Sequence, residues 1–272
     1  NSLYLAGKTL IGRAGHYFSV RGCYTDGKER KLGRIFKDKA SVTCTMDHGF
    51  DWDDFFSPIR LSMKVSFMAS LLVMALGIWT AHRMAGRRFF GKTLLETCLM
   101  LPLVLPPTVV GFLLLLLLGR RSWIGRLWEW WFDQPVIFTW YAAVIAAVVV
   151  AFPLVYQTLK AGFASVPDEY KDAARLDGAG EWQILCRITI PLAARSLATA
   201  YVLGFARALG EFGATLMIAG NIPGRTQTIP TAIYAAVETN QLQLAGLWSA
   251  VLIAIAFVLL LATRTKSSLD RQ

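Results

Sequence analysis

The sequence contains few charged side chains, few cysteines and few histidines. Asp, Glu, Lys and Arg make up 17% of its 272 residues, whereas 55% are hydrophobic, which excludes an ordinary soluble domain. The four cysteines show no C-x-x-C spacing, so neither a disulfide framework nor a zinc site is predicted. The three histidines are too far apart to form a set of metal ligands. The sequence therefore predicts no metal site and no catalytic residues.

Long apolar runs indicate an all-α integral membrane protein. Five runs come close to or exceed the roughly 20 residues that a helix needs to cross a bilayer, and a sixth span is left open. The predicted spans are about residues 59–81, 93–118, 136–159, 192–219 and 244–262. Together they form a predicted transmembrane domain over residues 59–264. The net charge of +10 is explained by Lys and Arg in loops beside the spans rather than by binding to nucleic acid.

Two of the predicted spans contain residues that are unusual in a lipid-embedded helix. The second span contains Pro106, Pro107 and Thr108, and prolines there kink the helix and free backbone carbonyls. The fourth contains Arg207 and Glu211, whose spacing predicts a pair on one helix face. Broken helices and ionisable side chains at this depth face protein or a water-filled cavity. These five residues form the candidate translocation pathway; a structural kink and a structural ion pair are the alternatives.

A phosphate-loop pattern, G-x₄-G-K-T, occurs at Gly86–Thr93 in the loop between the first two spans. A true phosphate loop joins a buried strand to a helix inside an α/β sheet, and the sequence shows no run of strands to hold it. The pattern is interpreted as a basic cytoplasmic turn. A membrane-tethered ATP-binding enzyme is kept as an alternative, which nucleotide binding lost in Lys92→Ala would support.

Residues 165–191 form a polar segment between the third and fourth spans. Ser165 lies three residues before Asp168, the pattern of an N-cap followed by an acid at N3, and Pro167 falls in the first turn. Gly178 is predicted to end this helix in a left-handed conformation, and Pro191 to open the next helix. The segment predicts either a helix that docks on another protein or an ordinary cytoplasmic loop helix.

The spacing of Glu169, Ala173, Ala174 and Gly178, followed by an Ile-Pro pair at Pro191, resembles the E-x₃-A-A-x₃-G loop of ABC importer permeases. In that family the loop carries the coupling helix, which sits on the ATPase subunit. The resemblance implies the type I ABC importer permease fold. It also implies that these five residues couple the chain to its ATPase.

A second stretch, Phe205–Pro230, resembles the permeases of molybdate importers, as do Phe55–Ser62 and Leu101–Gly111. Sulfate and thiosulfate permeases share the A-R-A-x-G-E-[F/Y]-G part of the stretch, whereas Thr215–Pro230 favours molybdate. The resemblance covers roughly Asp54–Leu261.

The resemblance implies the permease subunit of an ATP-driven importer that moves molybdate across the membrane by alternating access. Its expected partners are a second copy of the chain, two ABC ATPase subunits, an external molybdate-binding protein and membrane lipid. The chain itself would be no enzyme and would bind no cofactor, because ATP is hydrolysed on the partner subunit. The alternatives are a sulfate, thiosulfate or tungstate permease and, in another class, a secondary transporter or channel that needs no ATPase.

The distribution of basic residues predicts the orientation. Placing residues 165–191 in the cytoplasm puts twelve Lys and Arg residues inside and four outside, in agreement with the positive-inside rule. The N-terminus, with residues 46–58, then lies outside a bacterial inner membrane and the tail, residues 265–272, lies in the cytoplasm. Residues 1–45, with nine Lys and Arg against three acids, are expected to be non-native or a disordered basic arm, with Met46 as the natural start.

Overall fold

The computed structural model describes residues 52–84 and 90–269, and their side chains up to Leu261. The expectations for residues 1–45 and for Met46 lie outside the described residues, as does much of the phosphate-loop pattern. All regular structure in the described part is helical, which confirms the predicted all-α fold.

The described residues form twelve α-helices and one π-helical turn. Their bounds are α1 Trp52–Met84, α2 Lys92–Val104, α3 Pro107–Leu118, α4 Trp123–Phe132, α5 Trp140–Ala164, α6 Asp168–Leu176, α7 Glu181–Ile184, the π turn Leu185–Thr189, α8 Ile190–Leu192, α9 Ala194–Leu209, α10 Gly213–Ala219, α11 Ile229–Glu238 and α12 Leu242–Leu269. Of these, α1, α5 and the Leu242–Leu261 part of α12 are long and apolar enough to cross a membrane. Two bent pairs, α2 with α3 and α7–α8 with α9, raise the number of candidate spans in the described residues to as many as five.

The predicted span 93–118 is interrupted by its two prolines. Helix α2 ends before Leu105, and α3 starts at Pro107 after a bend of 114°. Leu105 and Pro106 each precede a proline and have ψ angles of 141° and 136°. A residue before proline is pushed out of the helical region in this way, so the break follows directly from the sequence.

The predicted span 192–219 is also interrupted, and α9 and α10 are separated by Gly210–Phe212. The approach to α9 is irregular as well. Ile190 donates its N–H to the carbonyl of Leu185, which closes the π turn. Pro191 lies in the short helix α8, and the chain then bends by 80° at Ala193 before α9 begins.

Helix α5 is the centre of the bundle and packs against α1, α2, α3, α9 and α10. Its buried face is rich in small residues, which allow neighbouring backbones to approach closely. They include Ala142, Ala143, Ala146, Ala147 and Ala151. A separate apolar cluster joins the start of α1 to α11 and α12, where Phe55 stacks on Trp248 with ring centroids 6.1 Å apart.

A close contact brings α3 against α10 at Gly111. A Cβ atom there would lie 2.7 Å from Cβ of Met217 and 2.8 Å from Cα of Ala214. We expect Gly111→Ala to destabilise the assembled protein by about 1–3 kcal/mol, because two backbones must separate. The matched control is Gly246→Ala, since a Cβ on Gly246 meets nothing within 4 Å. Thermal unfolding of the purified complexes checks this; equal melting temperatures for the two variants would contradict it.

Candidate coupling and translocation sites

Three residues separate the end of α5 from the start of α6, and the structure corrects the predicted cap. Ser165 is the C-cap of α5: its N–H donates to Ala161 O at 3.1 Å and its Oγ donates to Gly162 O at 2.8 Å. Pro167 occupies the N-cap position of α6 instead. The expectation that Ser165 caps α6 is wrong, because the free carbonyls at the end of α5 compete for the same hydroxyl.

The predicted end of α6 at Gly178 is confirmed. Gly178 has φ +83°, and its N–H donates to Arg175 O at 3.0 Å. The next amide, of Ala179, donates to Ala174 O at 2.9 Å. This pair of hydrogen bonds is a Schellman motif, which needs a left-handed residue at the position of Gly178. Ala174 and Gly178 therefore belong to one structural unit.

Helix α6 is tied to the end of α5 through Lys171. Lys171 Nζ donates to Asp168 Oδ1 at 2.9 Å and to Phe163 O at 3.4 Å, and only 17% of its side chain is exposed. The hydrogen bond from Lys171 lowers the pKa of Asp168. Lys171 thus holds the first turn of α6 against the last turn of α5. Its positive charge also interacts favourably with the negative end of the α5 dipole.

Arg175 ties the other end of α6 to α7. Its Nη1 donates to Asp172 Oδ1 at 2.6 Å and its Nε donates to Glu181 Oε1 at 2.9 Å. Hydrogen bonds to Glu181 and Asp172 raise the pKa of Arg175. Exposed pairs of this kind add little stability, so their main effect is to fix orientation. The sequence prediction did not assign these pairs, although the i, i+3 spacing of Asp168–Lys171 and Asp172–Arg175 was a usable signal.

The exposed side of this segment combines small and apolar residues. Tyr170, Leu176 and Trp182 are 57%, 89% and 64% exposed. Glu169, Ala173, Gly178 and Pro191 are also exposed, and Ala174 is half-buried. Glu169, Ala173, Ala174 and Gly178 lie together in α6 and its cap, whereas Pro191 lies beyond α7 and the π turn. A braced helix with uncovered apolar side chains is suited to bind another protein surface.

The predicted pairing of Arg207 with Glu211 is confirmed. Arg207 Nη1 lies 2.7 Å from Glu211 Oε2, and the side chains are 31% and 2% exposed. Glu211 lies in the break between α9 and α10 rather than inside one helix. Its second oxygen, Oε1, accepts the N–H of Ala214 at 2.9 Å. The carboxylate therefore joins the end of α9 to the start of α10.

The break between α2 and α3 lies against the break between α9 and α10. A Cβ atom on Gly213 would lie 3.1 Å from Pro107 Cβ and 3.3 Å from Thr108 N. The proline break before α3 is thus in contact with α10, two residues after Glu211. Pro106, Pro107 and Thr108 are exposed in the single chain. The structure thus places Pro107 and Thr108 against a residue close in the chain to Glu211, a member of the other group of candidate pathway residues.

A third polar contact, between α2 and α5, was missed by sequence reasoning. Glu96 Oε1 lies 2.8 Å from Lys160 Nζ and accepts a hydrogen bond from Tyr156 Oη at 3.3 Å. These partners are about sixty residues apart in the sequence, so only the isolated acid inside a predicted span could have indicated the contact. Within the described ranges there is no β-strand to hold a phosphate loop and no group of three or more potential metal-binding side chains.

The apolar helices, the interrupted spans and the exposed polar helix α6 are features of a helical membrane protein. The chain belongs to the family described as "Binding-protein-dependent transport system inner membrane component", whose model matches residues 74–271. This family membership confirms the predicted location in the inner membrane and the role of a transport subunit rather than an enzyme.

Relatives named as molybdenum permeases are more similar to the chain than a sulfate permease is. The "Putative molybdenum transport system permease protein YvgM" of Bacillus subtilis is 53% identical over 79% of this chain and 95% of its own length. The molybdenum transport system permease protein ModB of Escherichia coli is 46% identical over 66% of this chain and 79% of its own length. The sulfate transport system permease protein CysT of E. coli is 31% identical over 77% and 75%.

Solved ABC importers have the same fold. A bacterial ABC transporter that imports alginate matches with a TM-score of 0.64 at 18% identity, over 80% of each chain. The inward-facing MetNI methionine transporter matches with a TM-score of 0.56 at 13% identity, over 78% of this chain and 92% of the other. These likenesses concern the fold alone, and they confirm the predicted ABC importer permease fold.

Proposed function

We propose that the chain is the permease subunit of an ATP-driven molybdate importer. The observation that carries the proposal is the order of similarity: identities of 53% and 46% to two molybdenum permeases against 31% to a sulfate permease. The stretch Thr215–Pro230, which favours molybdate, includes residues 215–219 of α10, whereas Glu211 lies in the part that sulfate and thiosulfate permeases share.

Helix α6 is the proposed contact with the ATPase. Its contact residues would be Glu169, Ala173, Ala174 and Gly178, with Pro191 supporting the segment behind the π turn. Lys171 bonds the last turn of α5 and Arg175 bonds α7, so a movement of α6 would be passed to both neighbouring helices. ATP binds to the partner subunit, and the chain itself binds no cofactor.

The proposed assembly contains two copies of this chain, two ATPase subunits and an external binding protein that delivers the anion. Helix α6 lies in the cytoplasm with the C-terminus, and the N-terminus lies outside. Closure of the ATPase dimer would move α6, and the bundle would alternate between inward-open and outward-open states. Pro106, Pro107, Thr108, Arg207 and Glu211 would line the path, where the two breaks meet.

Reconstitution tests this function. The complex, purified with its ATPase and placed in vesicles with the binding protein, should take up radiolabelled molybdate only when ATP is present on the ATPase side. Excess tungstate should compete strongly and excess sulfate weakly. Uptake of sulfate in preference to molybdate would overturn the anion assignment. Uptake that does not need ATP would indicate a secondary transporter or channel instead.

A further inference from the structure

A cleft of about 580 Å³ opens at the start of α5, lined by the α3–α4, α4–α5 and α10–α11 loops. One wall contains Arg120, Gln134, Phe138 and Thr139, and the other contains Ile222 and Arg225. Helix α5 has 25 residues, so its ends are roughly 37 Å apart. Because α6 follows the end of α5, the cleft and the proposed ATPase contact lie at opposite ends of this helix.

The two walls are held in place by backbone contacts. Phe138 donates its N–H to Ile218 O at 2.9 Å and adopts φ +60°. Its ring lies against Gly220, where a Cβ atom would be 3.2 Å away. In the other wall, Ile222 O accepts the N–H of Arg225 at 3.1 Å, and Ile222 N donates to the buried hydroxyl of Thr226 at 3.0 Å. Arg225 therefore extends from a fixed turn.

The cleft is positively charged. None of its lining residues is acidic. Arg120 is partly neutralised by Glu129, at 3.0 Å, but remains largely exposed. Arg225 is exposed and makes no ion pair within residues 52–84 and 90–261. The N-terminal end of α5, which follows Thr139, adds the positive end of a long helix dipole. Guanidinium groups present several donors in a planar fork that suits oxyanions.

We propose that this cleft is an oxyanion-binding site at the outer mouth of the permease, where the anion first meets the chain after release. The site rests on the proposed function, because it needs the α6 end to be cytoplasmic. Helix α10 connects the cleft to the Arg207–Glu211 break: Ile218 contacts the wall at Phe138, and Glu211 bonds Ala214. Seven helical residues span roughly 10 Å, so the anion enters one short helix away from the proposed path.

Cysteine protection tests the site without requiring transport. In the full complex, with the four native cysteines replaced by serine, Gln134→Cys places a thiol in the cleft wall. We expect molybdate, tungstate and sulfate to slow its reaction with a negatively charged methanethiosulfonate at least threefold relative to chloride of equal ionic strength. Added Arg225→Gln should abolish this protection. Arg121→Gln, which changes an exposed arginine beside Arg120 that does not line the cleft, should preserve it.

A neutral methanethiosulfonate should react at the same rate in all three proteins, which excludes misfolding as the cause of lost protection. No slowing by any oxyanion beyond chloride would overturn the site. The same holds if Arg225→Gln weakens capture of the binding protein while oxyanions give no protection, because the cleft would then dock protein carboxylates. Protection without molybdate uptake would leave the site standing and reject the proposed function. Molybdate uptake without protection would support the proposed function and reject the site.

Discussion

Gly178→Val is expected to lower ATP-driven uptake at least tenfold while the permease still inserts and assembles. Gly178 has φ +83°, and a side chain in the left-handed region costs about 1–2 kcal/mol. A β-branched residue would open the Schellman cap and shift Arg175 away from Glu181. A Cβ at Gly178 meets nothing within 4 Å in this chain, so packing inside the bundle should survive. Uptake and ATP hydrolysis are measured on the same vesicles, and hydrolysis without uptake indicates uncoupling.

Gly180→Val is the matched control, because Gly180 has φ −71° and ψ 157°, which valine adopts readily, and its Cβ would also meet nothing within 4 Å. It should transport at close to the wild-type rate. Gly178→Asn separates two causes, since asparagine tolerates the left-handed region. Recovery of uptake in Gly178→Asn would show that the backbone conformation at this position caused the loss. Continued loss would show that the side chain clashes with the ATPase. Normal uptake by Gly178→Val would remove α6 as the coupling element.

Glu169→Lys should also lower ATP-driven uptake, and the same vesicle assay measures it. The side chain is exposed in the first turn of α6, so the charge change alters the docking surface and opposes the helix dipole.

Glu211→Ala is expected to cost about 3–5 kcal/mol of stability, because it leaves the Arg207 charge without its partner in a mostly buried site. It also removes the acceptor for the N–H of Ala214. For a protein of this size the loss corresponds to a melting temperature lower by about 10 °C. Thermal unfolding of the purified complex is the measurement.

Two further variants separate the two causes of this loss of stability, the missing hydrogen bond to Ala214 and the unpaired charge of Arg207. Glu211→Gln keeps an acceptor for Ala214 and should lose less than Glu211→Ala. Combining it with Arg207→Met should recover part of the loss, since no unpaired charge remains. Asp53→Asn is the control, because Asp53 and Arg60 are exposed and 3.9 Å apart. A Glu211→Ala complex that melts with the wild type would show that the pair does not hold the break.

Helix ends and breaks were predicted correctly where one or two residues determine the backbone conformation. The left-handed end of α6 needs only Gly178, and the break before α3 needs only Pro106 and Pro107, so both could be predicted. The cap at Ser165 was assigned wrongly because the neighbouring helix end competes for its hydroxyl. That competition depends on where α5 stops, which the sequence does not mark.

The break between α9 and α10 had no proline to mark it. Gly210 and Gly213 permit the interruption, but the contact of Glu211 with Ala214 that accompanies it became visible only in the fold. The α2–α5 contact of Glu96 with Lys160 is of the same kind, because it joins residues brought together by packing. Motif spacing located α6 and the pathway residues separately, and only the structure showed that Pro107 lies against Gly213.

The π turn at Leu185–Thr189 sets the rotational phase between the polar segment and the bundle. Each residue of an α-helix turns the chain by about 100° and advances it by about 1.5 Å. Removing one residue between Glu181 and Leu192 would therefore swing one side of this stretch by about 100° relative to the other. We therefore expect this stretch to tolerate many substitutions but no one-residue insertion or deletion.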